Sequence, residues 1–158
     1  MCPSPRVERP APPTPASPSE APHAGDRIPT VLVVDDREAD QDLHCLLLHR
    51  WGLRAIAASD GREALAYTRA VRPDAVVTDL RMPHLDGWGL LAHLRAAPET
   101  AGIPVLVVTA HEVDAPTERA RTAGAAAVLL KPLDVRAFRE ALTRALASAD
   151  PDARGPTP

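Results

Sequence analysis

Short, unbroken apolar runs constrain this chain more than any other feature. Val31-Leu32-Val33-Val34, Ala75-Val76-Val77 and Val105-Leu106-Val107-Val108 are rich in β-branched residues and stop abruptly at polar ones. Each is too short for a buried helix and shows no alternation, so each reads as a strand covered on both faces. Pro73 and Pro83 bracket the middle run, which ends in Thr78-Asp79. A carboxylate there stands at the carboxyl edge of a central strand, where open α/β sheets bind ligands. Asp79 is therefore the leading candidate for a functional residue.

Segments of helical spacing separate the runs. Glu38 to Trp51 places Ala39, Leu43, Leu46 and Leu47 on one face and ends at Gly52, a good residue just past a helix. A weaker strand, Leu53 to Ala58, precedes a capping-box-like pair, Asp60 and Glu63, that opens a helix through Ala64, Leu65 and Ala70. Asp86-Gly87 starts a third helix, Asp86 reading as a turn or cap residue, with Trp88, Leu91 and Leu94 spaced to face the sheet. A short helix from about Thr117 to Ala123 stops at Gly124, and Ala125 to Leu130 forms a fifth strand. Phe138, Ala141, Leu142, Ala145 and Leu146 then mark a last amphipathic helix. Strands alternating with helices predict an α/β, doubly wound, mainly parallel five-stranded sheet with helices on both faces.

The 158 residues suit one domain with a full core. Residues 1–29 hold nine of the eighteen prolines and read as a disordered tail, leaving a folded domain over 30–149 and a short tail over 150–158. A net charge of −3 and only four aromatics (Trp51, Tyr67, Trp88, Phe138) argue against nucleic acid as a partner. Cys2 and Cys45 form no disulfide framework, and no apolar run approaches the roughly 18 residues of a membrane span. A cytoplasmic protein without membrane contact is expected. The six histidines show no metal-ligand spacing.

Four strands end in polar residues without an evident structural use: Asp35-Asp36, Asp79, Thr109 and Lys131. If the strands are neighbours, these residues converge. Three clustered carboxylates repel unless a cation neutralises them, and an oxygen-only donor set suits Mg²⁺. A lysine and a hydroxyl opposite can stabilise the oxygens of a phosphoryl group delivered to a carboxylate.

This pattern resembles the receiver domains of bacterial two-component response regulators, over about residues 30 to 149. Val31-Leu32-Val33-Val34-Asp35-Asp36 is similar to the family's acidic pair, and Asp79-Leu80-Arg81-Met82-Pro83-His84-Leu85-Asp86-Gly87 to its phosphoacceptor motif. Thr109-Ala110 is similar to the switch position and Lys131-Pro132 to the lysine with its cis proline. The resemblance implies a flavodoxin-like strand order 2-1-3-4-5. It implies that Asp79 accepts a phosphoryl group from a sensor histidine kinase or phosphotransfer protein. Mg²⁺ would be the cofactor, held by Asp36, Asp79 and the backbone carbonyl of Arg81, with Asp35 acting mainly through water. Lys131 would pair with the phosphoryl group and Thr109 would swing to bond it. The last helix, the fifth strand and the short helix before it would form the output surface. Such a chain is a phosphoacceptor rather than an enzyme acting on separate substrates, with an unidentified downstream protein target and homodimerisation left open. Since nine residues follow Ala149, it is expected to signal alone, through protein contacts.

Three positions depart from the family pattern. Val128 stands where an aromatic switch residue is usual, and Arg81 and His111 occupy sites that affect how long the phosphoryl group survives. Val128 keeps open an alternative, a receiver-like module that binds partners without phosphorylation. An aspartate-nucleophile phosphatase would need an acid where Arg81 stands. Asp35-Asp36 would repel the phosphate of a flavin mononucleotide.

Overall fold

Five parallel strands alternate with five helices in the computed structural model, which describes residues 27–110 and 114–148. The strands are β1 (Thr30–Val34), β2 (Arg54–Ala58), β3 (Ala75–Thr78), β4 (Val105–Thr109) and β5 (Ala127–Leu130). The helices are α1 (Glu38–Arg50), α2 (Gly61–Val71), α3 (Gly87–Ala96), α4 (Asp114–Thr122) and α5 (Val135–Ser148). The sheet order is β2-β1-β3-β4-β5, as expected.

Successive strand side chains point to opposite faces, so each apolar run feeds two cores. Val31, Val33, Val77, Leu106 and Val108 pack with Cys45 and Leu48 of α1 and Phe138 and Leu142 of α5. Leu32, Val34, Val76 and Val105 pack instead with Ala64 of α2 and Leu90, Leu91 and Leu94 of α3. This double use explains why β1, β3 and β4 show no polar alternation. Asp60 and Glu63 cap α2 as their spacing implies: the Glu63 N–H donates to Asp60 Oδ1 at 2.9 Å, and the Ser59 N–H donates to Glu63 Oε2 at 2.8 Å.

Two helix faces differ from the sequence expectation. On α1, Leu43 and Leu46 are 42% and 50% exposed, whereas His44, Cys45 and Leu48 are buried. Consecutive leucines do not specify one stripe, and the rotation is set at the first turn. There the Gln41 amide donates to the carbonyls of Asp35 and Ala58, which turns residues 41, 44, 45 and 48 inward. On α3 Leu91 and Leu94 face the sheet as expected, joined by Gly87 and Leu90, and only Trp88 departs from the row. Trp88 is half-buried and carries the Arg119 guanidinium 4.4 Å from its ring centroid.

Boundaries also shift. α4 begins at Asp114 rather than near Thr117. β5 begins at Ala127 rather than Ala125, because the Ala125 N–H is committed to the Ala120 carbonyl at 2.8 Å in the turn that ends α4. Residues 27–29, assigned above to the tail, are bonded to the domain: the Arg54 N–H donates to the Pro29 carbonyl at 2.9 Å, and Arg27 pairs with the buried Asp74. Residues 1–26 and 149–158, and with them Cys2, lie outside the described residues, as does His111.

Candidate functional site

Parallel register brings the strand ends together. Val34 of β1 stands beside Thr78 of β3, so the residues that follow, Asp35 and Asp79, are neighbours at the carboxyl edge. Backbone bonds extend the ladder past both strands: the Asp79 N–H donates to the Val34 carbonyl at 3.0 Å and the Asp35 N–H to the Ala58 carbonyl at 3.1 Å. At the other side Thr109 pairs with Leu130, and the Lys131 N–H donates to the Thr109 carbonyl at 2.8 Å. The long stem of Lys131 then carries its ammonium back across β4 to the acids.

Lys131 Nζ lies 3.1 Å from Asp79 Oδ2, 3.2 Å from Asp35 Oδ2 and 3.1 Å from Asp40 Oδ2. An ammonium has three N–H donors, so these three carboxylates account for all of them. The other oxygen of Asp79, Oδ1, accepts the Leu80 N–H at 2.6 Å and the Arg81 N–H at 3.3 Å. Asp35 Oδ1 accepts the Arg37 N–H at 2.9 Å. Asp36 is exposed. Its carboxylate nevertheless joins those of Asp35 and Asp79, with one oxygen from each within 4.8 Å of the others.

Electrostatics follow from burial. Desolvation raises the Asp35 pKa above the usual carboxylate value, and the Arg37 N–H and the Lys131 charge only partly oppose it. Burial works against the Lys131 ammonium too, but hydrogen bonds to Asp40 and Asp79 and the charges of Asp79 and Asp35 outweigh it, so its pKa is raised. The lysine therefore stays charged at neutral pH.

The loop that carries Asp79 into α3 is clamped by residues without side chains. A Cβ on Gly87 would stand 2.2 Å from the Asp79 carbonyl oxygen and 2.8 Å from Leu80 Cα. One on Gly61, in the first turn of α2, would stand 2.6 Å from the Leu85 carbonyl oxygen, to which the Gly61 N–H donates at 3.0 Å. Asp86 caps α3, its Oδ1 accepting the Gly89 N–H at 2.8 Å.

The sequence candidates Asp35, Asp36, Asp79 and Lys131 thus meet in one cluster. Thr109 is fully buried at the same edge, and Val128 is half-buried in β5 beside Val107. Arg81 is exposed and contributes its backbone N–H to Asp79. Asp40 was missed. Its signal was an acid in the first turn of the helix after the acidic pair, which reads equally well as a favourable charge at a helix N-terminus. His44 was also missed: it is 3% exposed and packs edge-on against Phe138, with ring centroids 5.4 Å apart. No histidine joins the acidic group among the described residues.

Comparison with known proteins agrees with this geometry. The family model described as the response regulator receiver domain matches residues 31–143. The chain belongs to the response regulator receiver family. This receiver domain is 32% identical over 120 residues to the polar-differentiation response regulator DivK of Brucella anthropi, an alignment covering 76% of this chain and 98% of that protein. Among solved structures, a response regulator from Chloroflexus aurantiacus superposes with a TM-score of 0.74 at 30% identity, covering 77% of this chain and 99% of that one. The chemotaxis protein CheY4 of Vibrio cholerae gives 0.71 at 27% identity, with 75% and 99% covered. Both the doubly wound fold and its strand order are those of the family. The protein is a receiver domain of two-component signalling.

Proposed function

We propose that Asp79 accepts a phosphoryl group from a phosphohistidine of a sensor histidine kinase or phosphotransfer protein in the cytoplasm. The observation that carries this reading is the convergence of Lys131 Nζ on Asp79 and Asp35, at 3.1 and 3.2 Å, beside the exposed Asp36. An Asp79 carboxylate oxygen attacks phosphorus, the phosphorus–nitrogen bond breaks, and its electron pair leaves on the imidazole nitrogen. Lys131 and the Leu80 and Arg81 N–H groups lie on the Asp79 carboxylate and are positioned to hold the oxygens on which charge develops.

Three carboxylates sharing a space within 4.8 Å, one of them with a pKa raised by burial, form an oxygen-only donor set that fits Mg²⁺. Asp35, Asp36 and Asp79, with the Arg81 backbone carbonyl, are the groups to hold it. When bound, the ion neutralises the acids and the incoming phosphate. Thr109 bonds the transferred group from the β4 end, and the signal leaves through contacts of α4, β5 and α5 with another protein. The domain is a phosphoacceptor that modifies itself, not an enzyme with a separate substrate.

Val128 favours a second reading, a module that binds partners without phosphorylation, since no aromatic ring at that position can follow Thr109. Intact mass after incubation with acetyl phosphate and Mg²⁺ separates the two. Expected is one added phosphoryl group that requires Mg²⁺ and is absent in Asp79→Ala, a variant that still folds because Lys131 keeps Asp35 and Asp40. Beryllofluoride, a stable phosphoryl mimic, should bind under the same conditions. Failure of both the adduct and beryllofluoride binding would overturn the phosphoacceptor reading.

A further inference from the structure

We infer that Asp40 is a positioning residue for Lys131, a counter-charge that holds the ammonium ready in the resting domain and weakens its grip on the phosphoryl group. This rests on the phosphoacceptor reading of Asp79. The three partners of Lys131 differ in what else they can do. Asp79 is the acceptor, and a phosphoryl group on it offers new oxygens to the lysine. Asp35 belongs to the carboxylate trio fit for a cation, which draws its charge away from Lys131. Asp40 does neither. It stands on α1 outside that trio, and its side chain, 27% exposed, is bonded to Lys131.

The Asp40 carboxylate therefore faces the lysine independently of what the trio or Asp79 binds. Asp40 Oδ2 and Asp79 Oδ2 are each 3.1 Å from Nζ, so they lie no more than about 6 Å apart. At that range a unit charge changes a binding constant by about threefold if fully screened by water and by up to about a hundredfold at the dielectric of a protein surface, so an effect of roughly tenfold lies in the middle of the range. Two consequences of opposite sign follow. The Asp40 charge attracts a divalent cation at the trio and so strengthens Mg²⁺ binding. It also competes with a phosphoryl group for Lys131 and repels that group's oxygens, and so weakens binding of the phosphoryl mimic.

The test is calorimetric titration of the full-length protein, first with Mg²⁺ and then with beryllofluoride at saturating Mg²⁺. Asp40→Asn, which keeps the shape and a hydrogen-bond acceptor but removes the charge, should bind Mg²⁺ several-fold more weakly and beryllofluoride several-fold to about tenfold more tightly. Asp40→Glu, with the charge restored on a longer stem, should return both constants toward wild type. A purely structural role would weaken both together, and that result, or constants unchanged within about twofold, overturns the inference. Metal-free protein supplies an independent readout. The ¹⁵N-resolved ammonium signal of Lys131, held by three carboxylates, should broaden through faster proton exchange in Asp40→Ala, and an unchanged signal also counts against the role. If wild-type protein neither binds beryllofluoride nor forms the acetyl phosphate adduct, the phosphoacceptor reading fails and this inference falls with it. Wild-type binding with an indifferent Asp40→Asn overturns this inference alone.

Discussion

Gly87→Ala sets two effects against each other at a single methyl group. Gly87 is the first residue of α3, and alanine is the better helix former by up to about 1 kcal/mol, so propensity alone predicts a gain. The added Cβ, however, would stand 2.2 Å from the Asp79 carbonyl oxygen and 2.8 Å from Leu80 Cα. These are backbone atoms that no rotamer change can move, and relief needs a shift of about 1 Å, an overpacking that typically costs about 1–3 kcal/mol. The same shift strains the 3.0 Å bond from the Gly87 N–H to the Leu80 carbonyl, worth roughly 1 kcal/mol. Sterics should win by about 1–3 kcal/mol, lowering Tm by roughly 5–15 °C in a domain of this size. Because the displaced carbonyl belongs to Asp79, beryllofluoride affinity should fall with stability, by more than about tenfold. Gly52→Ala is the control: Gly52 has φ of +76° and open space around it, so the substitution strains only the backbone, by about 1–2 kcal/mol, far from the site. Differential scanning calorimetry and beryllofluoride titration on both variants decide the matter. A Gly87→Ala protein that melts at or above wild type would refute the argument from close packing.

Three further outcomes follow from burial and charge. Lys131→Met leaves the Asp35 carboxylate, 1% exposed, without its counter-charge and should destabilise the domain by roughly 3 kcal/mol at neutral pH. Burial already raises the folded pKa of Asp35 above 3.8, so protonation favours the fold: the deficit seen by urea denaturation should shrink as pH falls through that raised value and grow as pH rises. His44→Leu should stabilise the protein by about 1 kcal/mol, since it removes a buried Nδ1 that makes no well-formed hydrogen bond among the described residues and has only a weak backbone contact at Asp40. Burial foremost, and then the Lys131 charge, lowers the His44 pKa, so wild-type stability is held above 6.5 and lost as pH falls through the folded value; the variant should lose less in that window. Burial, with some help from Asp42, pushes the Cys45 thiol up to about 11. In a Cys2→Ser background, which leaves Cys45 as the one thiol, intact mass should show no iodoacetamide adduct at neutral pH in native protein and a rapid one in denaturant.

The elements of the fold could be read along the chain because each is a local matter. A four-residue β-branched run bounded by proline has little choice but to be a strand, and the i, i+3, i+4 row around Phe138 specifies the buried face of α5 by itself. The polar residues that end the strands were legible for the same reason: nothing in a buried run explains an abrupt Asp79 or Lys131 except use at the sheet edge. The orientation of α1 was not legible, since leucines at 43, 46, 47 and 48 offer several stripes and the Gln41 bonds that choose among them cross to β1 and β2. Trp88 was assigned to the sheet face by its spacing from Leu91 and Leu94, whereas an aromatic ring is equally stable half-buried beneath Arg119.

The sequence by itself determined the strands, the helices and the chemical types that meet at the carboxyl edge, because burial and periodicity are written residue by residue. Only the tertiary structure decided that Lys131 spends its three donors on Asp35, Asp40 and Asp79, which lie 96, 91 and 52 positions away in the chain. Parallel register sets Asp35 beside Asp79, the order of the strands puts β4 under the lysine stem, and the rotation of α1 aims Asp40 inward. Such distances between side chains remote in sequence depend on how whole elements pack, and no local pattern encodes them.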